Sequence, residues 1–234
     1  MGTEEQGFYL FLEFINIGTL LALVIFFRRR IAKIAIDVIR NKNYRLAVNI
    51  LITAVPAGLT GLLLARFIEE TAFFGHLLSL GVAMGGVGVA MICVEKLPRR
   101  SELKDENGLT KSRALVIGLA QVLALVPGVS RSGATILTGR MMGLNAKSAA
   151  EYSFLASIPL MCGVVAKTFL SSTDRAYFGE NMGILVVANL VALLAGYLAL
   201  KYLLKFLKRR EALPAFGWYR VVLATMVLVV ALIQ

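Results

Sequence analysis

Apolar runs of about 20 residues recur along this chain of 234 residues, each long enough to carry a helix across the hydrocarbon of a bilayer. Inside lipid the backbone must satisfy its own hydrogen bonds, so runs of this kind resolve as helices, and the expected fold class is an all-α polytopic membrane protein. Five full spans fall at roughly 7–27, 46–67, 75–94, 184–204 and 214–233, with a sixth at about 151–170 that opens on Glu151. Hydrophobic residues make up 58% of the chain and the mean hydropathy is +0.77, which points away from a soluble domain. Residues 1–234 are therefore read as one integral membrane domain.

The formal net charge of +11 raises the question of nucleic acid. The basic residues, however, stand in short clusters beside apolar runs, the pattern of cytoplasmic anchoring and of contact with anionic lipids, so a nucleic-acid partner is not expected. Cys93 and Cys162 lie in separate apolar runs and read as small hydrophobes rather than as a redox pair. No cleavable signal peptide is evident, because the first apolar run is long and is followed, not preceded, by Arg28-Arg29-Arg30.

The distribution of Lys and Arg orients the spans. Residues 28–45, 95–113 and 201–211 are rich in basic residues and are expected to be cytoplasmic loops, whereas the connection after Phe67, with Glu69 and Glu70, and the balanced stretch 171–183 should face outward. This parity holds only if 114–150 enters and leaves the membrane on one side. The segment before Pro127 is too short to span, which suits a re-entrant helical hairpin whose second leg is 133–144. The first three spans then run opposite to the last three, giving two inverted repeats: a first repeat over 1–94, a cytoplasmic loop at 95–113 and a complete second repeat over 114–234. Sites in such folds lie between the halves on broken helices. A matching hairpin for the first repeat would fall upstream of Met1, so the first repeat is expected to be truncated.

The tip of the hairpin carries the chemistry. Pro127-Gly128-Val129-Ser130-Arg131-Ser132-Gly133-Ala134-Thr135 sets one arginine and three hydroxyls in an apolar, membrane-length setting. Pro-Gly breaks one helix, and the residues after it can open another whose free N–H groups favour an anion. Arginine adds a planar fork that matches phosphate oxygens. An intramembrane charge is costly and functional by default. Arg131 is thus a candidate phosphate ligand, with an ion pair to Glu151 as the structural alternative. Ser130 and Ser132 can donate to phosphate oxygens or cap the following helix. Thr135 can bond a phosphate or its own preceding turn, while Gly128 and Gly133 permit a tight turn and close backbone approach. Gln121 either orients the hairpin or glues helices together. Glu151 and Glu13 are intramembrane carboxylates. Arg140 and Lys147 are expected to snorkel at the hairpin's cytoplasmic end, and His76 reads as a surface residue. Gly85-Gly86-Val87-Gly88 suits small-residue helix packing rather than a nucleotide loop.

The run from Gly118 to Thr135, followed by Met142-Gly143, Ala149-Ala150-Glu151-Tyr152-Ser153-Phe154-Leu155 and Ile158-Pro159, closely resembles the undecaprenyl pyrophosphate phosphatase, or bacitracin-resistance protein, family of bacteria. The likeness extends to Gly18–Ala22, Val55-Pro56-Ala57, Leu213–Phe216 and Tyr219-Arg220, nearly the whole chain. The resemblance implies an inner-membrane enzyme that hydrolyses undecaprenyl diphosphate to undecaprenyl phosphate, recycling the carrier lipid for cell-wall synthesis and conferring bacitracin resistance. It implies a divalent cation, Mg or Ca, and roles in holding the diphosphate for Arg131, Ser130, Ser132 and Thr135. A homodimer is a further expectation. The family also carries an N-terminal Glu-Gly-x-Thr-Glu stretch followed by Pro-Val-Ser-Ser-Thr-Gly-His, and residues 1–234 contain neither; Glu4 and Glu5 are no substitute. On that ground the chain as read is expected to be weakly active or inactive, and the competing reading is a non-catalytic polyprenyl-phosphate binder or flippase.

Overall fold

The computed structural model describes residues 3–70, 76–96, 103–170, 177–179, 181–209 and 211–233, with side chains at 3–6, 9 and 65–70 left aside. Its long helices are α1 (Thr3–Ile39), α2 (Arg45–Glu70), α3 (Leu77–Val94), α4 (Lys111–Val122), α5 (Arg131–Met141), α6 (Ala146–Leu170), α7 (Met182–Phe206) and α8 (Ala212–Ile233). Two short 3₁₀ turns, Glu106–Gly108 and Leu123–Leu125, precede and follow α4. No strand occurs among the described residues. Six helices are long and apolar enough to cross a membrane, matching the six runs read from the sequence, and the chain is a multi-pass membrane protein. Leu62, Leu63, Leu190, Val191 and Leu194 stay exposed along these helices, where acyl chains solvate them.

One boundary differs. Residues 28–45 are not a loop: α1 continues through Arg28-Arg29-Arg30 and ends at Ile39, before a turn in which Lys42 takes a φ of 49°. Arginine and lysine are good helix formers, and no Gly or Pro interrupts the chain between Thr19 and Asn43, so basic sequence alone does not stop the helix. The second hairpin leg also begins earlier than expected, at Arg131. Residues 71–75, 97–102 and 171–176, which hold parts of the expected connections, and the side chains of Glu4, Glu5, Glu69 and Glu70 lie outside the described residues.

The chain forms two compact units, each built from two separate stretches of the sequence. The first comprises residues 1–43 and 157–203. Phe14, wholly buried, packs against Phe169, Tyr177 and Phe178 with ring centroids 5.2–6.3 Å apart, and Phe26 meets Tyr197 edge-on at 5.5 Å. Between them α1 and α7 approach closely enough that the Gly18 N–H donates to Asn189 Oδ1 at 2.5 Å. A Cβ at Gly18 would fall 2.9 Å from Asn189 Cα. Gly18→Ala is therefore expected to cost about 1–3 kcal/mol, the usual cost of overpacking, read as a lowered thermal unfolding midpoint in detergent.

The second unit, residues 44–156 and 204–234, contains the hairpin. The boundary inside α6 falls just before Pro159, which removes one N–H from the helical ladder. Helix α3 packs along α8 through small residues: a Cβ at Gly88 would meet the Gly217 carbonyl at 2.8 Å, and one at Gly217 the Gly88 carbonyl at 2.6 Å. This is the packing role expected for the glycine run at 85–88. Helix α4 lies against α2, with Gly118 facing the Thr53 backbone. A buried polar column binds them. Thr53 donates to the Ala114 carbonyl and lies 2.7 Å from the Tyr152 hydroxyl, Tyr152 donates to the Asn49 carbonyl, and Asn49 Nδ2 donates to the Leu109 carbonyl.

Candidate functional site

The chain leaves the 3₁₀ turn at Leu125, reverses at Gly128 and enters α5 at Arg131. Gly128 has a φ of +95°, a conformation that suits glycine and puts its backbone against Leu80 of α3. Its carbonyl accepts a 2.6 Å hydrogen bond from Nη2 of Arg220 on α8. Ser130 is the N-cap of α5: its hydroxyl oxygen accepts from the Gly133 N–H at 3.2 Å and its carbonyl from the Ala134 N–H. Ser132 lies 3.3 Å away, hydroxyl to hydroxyl. The cap side chain satisfies one of the four N–H groups that a helix start leaves open. Those of Arg131 and Ser132 have no partner among the described residues.

Thr135 is buried and its hydroxyl is committed to protein. It donates to the backbone carbonyl of Arg131 or Ser132 and lies 2.5 Å from Ser153 Oγ on α6. Of the two roles the sequence left open for it, the structure shows the bond to its own preceding turn, through which Thr135 fixes the Arg131 backbone. Gly133 is likewise enclosed, under Met91 of α3 and the Ser130 side chain, so its missing Cβ serves helix packing.

The Arg131 side chain is exposed and makes no hydrogen bond or ion pair among the described residues. The structural alternative for it, a pair with Glu151, is not formed; Glu151 instead meets Lys147 one turn earlier on its own helix at 3.1 Å. Gln121 is buried on α4, and its Nε2 has no hydrogen-bond partner among the described residues. His76 caps the start of α3 with its backbone and is exposed, as expected.

Arg140 corrects the snorkelling expectation. Its side chain is only 5% exposed and grips Glu95 through Nε and Nη2 at 2.6 Å each, with Nη1 on the Leu144 carbonyl. This fork joins the end of α5 to the end of α3. Sequence reasoning gave Arg220 no role, although the argument that singled out Arg131 applies equally to an arginine inside the last apolar span. Arg220 is a positioning residue for the turn. Arg220→Ala is expected to weaken binding of inorganic pyrophosphate about tenfold, as loss of one charge-assisted hydrogen bond would, with Arg220→Lys recovering part of the loss. Equilibrium binding checks this, and an unchanged affinity in Arg220→Ala would mean that the turn holds without it.

The arrangement defines a class: a polytopic helical membrane protein with an open arginine and hydroxyls at the start of a short helix, a geometry of the kind that suits an anion. The description Bacitracin resistance protein BacA belongs to a family whose model matches residues 1–226. The chain is 37% identical over 231 residues to an undecaprenyl-diphosphatase of Pelobacter propionicus, covering 95% of this chain and 82% of that one. It is 34% identical over 218 residues to an undecaprenyl-diphosphatase of Neisseria gonorrhoeae, covering 92% and 78% respectively. A third relative, undecaprenyl-diphosphatase 2 of Paramagnetospirillum magneticum, is 30% identical over 220 residues, covering 94% and 83%. The chain belongs to the bacitracin resistance protein family.

Proposed function

We propose that the chain hydrolyses undecaprenyl diphosphate to undecaprenyl phosphate and phosphate in the bacterial inner membrane, returning the carrier lipid to cell-wall synthesis. The observation that carries this reading is the unpartnered Arg131 at the mouth of α5. A cation at the positive end of a helix dipole is unfavourable for folding, so an arginine held there is offset by an anionic ligand. The substrate class comes from the names of the relatives.

In this reading the Arg131 fork takes two oxygens of the terminal phosphate, and the N–H groups of Arg131 and Ser132 take a third. The Ser130 and Ser132 hydroxyls keep protons to donate. As the phosphorus–oxygen bond breaks, charge spreads over the phosphoryl oxygens, and donors fixed beforehand by the Ser130 cap, Thr135 and Arg220 stabilise it. Among the described residues no three carboxylate, histidine or cysteine side chains gather in one place. The divalent cation implied by resemblance would then be held mainly by phosphate oxygens and water, with few protein ligands.

Helix α4 has 12 residues, about 18 Å of rise, well short of the roughly 30 Å hydrocarbon. That length supports the re-entrant hairpin, on which the reading of two inverted repeats rests. The reading as a lipid-phosphate binder or flippase is not favoured, because relatives similar over nine-tenths of the chain are named as diphosphatases. The test is orthophosphate release from undecaprenyl diphosphate by the purified protein. Release matched by undecaprenyl phosphate supports the hydrolase; tight binding with no release restores the binder.

A further inference from the structure

A second basic recess lies at the other end of α5. It is a cavity of about 300 Å³ lined by Glu95, Arg140, Asn145, Lys147, Lys208 and Arg209, among others. Arg131 and Arg140 stand nine positions apart on one helix, about 14 Å of rise, so this recess is distinct from the hairpin tip. Its wall is rigid: the forked Arg140–Glu95 pair and the Leu144 carbonyl fix one side, and Asn145 fixes another by accepting the Ser148 N–H at 2.8 Å.

The charge in the recess is unbalanced. Arg140 and Glu95 neutralise each other, and Lys147 shares Glu151. Lys208 and Arg209 are both exposed just after α7, and neither side chain makes a hydrogen bond or ion pair among the described residues. The Asn145 cap serves the N–H groups of Ser148 and Ala149, which leaves those of Ala146 and Lys147 open beside these cations. Two free cations, a third that is half-shared and two open N–H groups around a small cavity match a compact, multiply charged anion rather than a single carboxylate.

We propose that this recess binds a phosphate-bearing group, supplied either as free phosphate or as the headgroup of an anionic lipid. The cavity accommodates one headgroup and is too small for a polyprenyl chain. Unlike the hairpin tip, where the arginine stands alone at a helix start, this site is built from an ion-paired wall and two unpaired cations, which suits retention rather than turnover.

The full chain carrying Arg131→Ala, which disables the first anion site, isolates the second. Two probes are measured on it: radiolabelled inorganic phosphate by equilibrium dialysis, and phosphatidylglycerol retained from phosphatidylcholine nanodiscs by native mass spectrometry. Adding Lys208→Gln and Arg209→Gln is expected to weaken whichever probe binds at least tenfold. Both side chains are exposed, so folding should be unchanged, which the thermal unfolding midpoint checks. Phosphate bound alone identifies a free-anion site, and lipid bound, with or without phosphate, identifies a headgroup site. If neither probe binds to Arg131→Ala, or if binding survives the double substitution within about twofold, the proposal is overturned.

Discussion

Arg131→Ala is expected to lower phosphate release from undecaprenyl diphosphate by about 100- to 1000-fold, the usual consequence of removing one donor that stabilises transition-state charge. The unfolding midpoint should not fall. The Arg131 side chain is exposed, pairs with nothing among the described residues, and sits as a cation at a helix start, so its removal breaks no hydrogen bond or ion pair among them and relieves an unfavourable dipole interaction. Arg131→Lys separates charge from geometry. It keeps a point charge but loses the planar fork, and should recover only part of the rate. Parallel assays of phosphate release and thermal unfolding check the claim; a loss of rate that tracks a loss of stability would reassign Arg131 to structure.

The second large effect lies in stability and runs the other way. Arg140→Ala should destabilise the protein by about 3–5 kcal/mol, because it removes both arms of the fork from Glu95, whose side chain is only 13% exposed, and frees the Leu144 carbonyl. Replacing both partners, Arg140→Leu with Glu95→Leu, should restore most of that loss, since the desolvated carboxylate goes with its arginine. Thermal unfolding of the single and double variants measures the coupling. A single variant within 1 kcal/mol of the parent would mean that the pair is not formed in the membrane.

The helical spans were legible because bilayer thickness imposes a length on apolar runs, and that signal does not depend on which helices pack together. The hairpin tip was legible for a similar reason, since Pro127 and Gly128 break a helix locally and a hydroxyl after them caps the next one. Ser130, rather than Ser132, turned out to be the cap, a choice decided by where the helix starts and not by residue type. The parts that were not legible depend on partners distant in sequence. Arg140 looks like a snorkelling residue until Glu95, 45 positions earlier, is brought beside it. Thr135 looks like a phosphate ligand until Ser153 and its own turn take its hydroxyl. Arg220 is one arginine in an apolar span until its bond to the Gly128 carbonyl shows what it holds. The extension of α1 past Arg28 was missed for a different reason: charge reports which side of a membrane a segment faces, not whether its backbone stays helical.

The hydrolase reading rests on a phosphate seated at the start of α5. The measurement that tests it most directly is an experimental structure of the protein with a non-hydrolysable polyprenyl diphosphate analogue. The account predicts the terminal phosphate within hydrogen-bonding distance of the Arg131 guanidinium and of the Ser132 N–H. An analogue bound elsewhere, with Arg131 paired to a carboxylate such as Glu151 or Glu13, would contradict it.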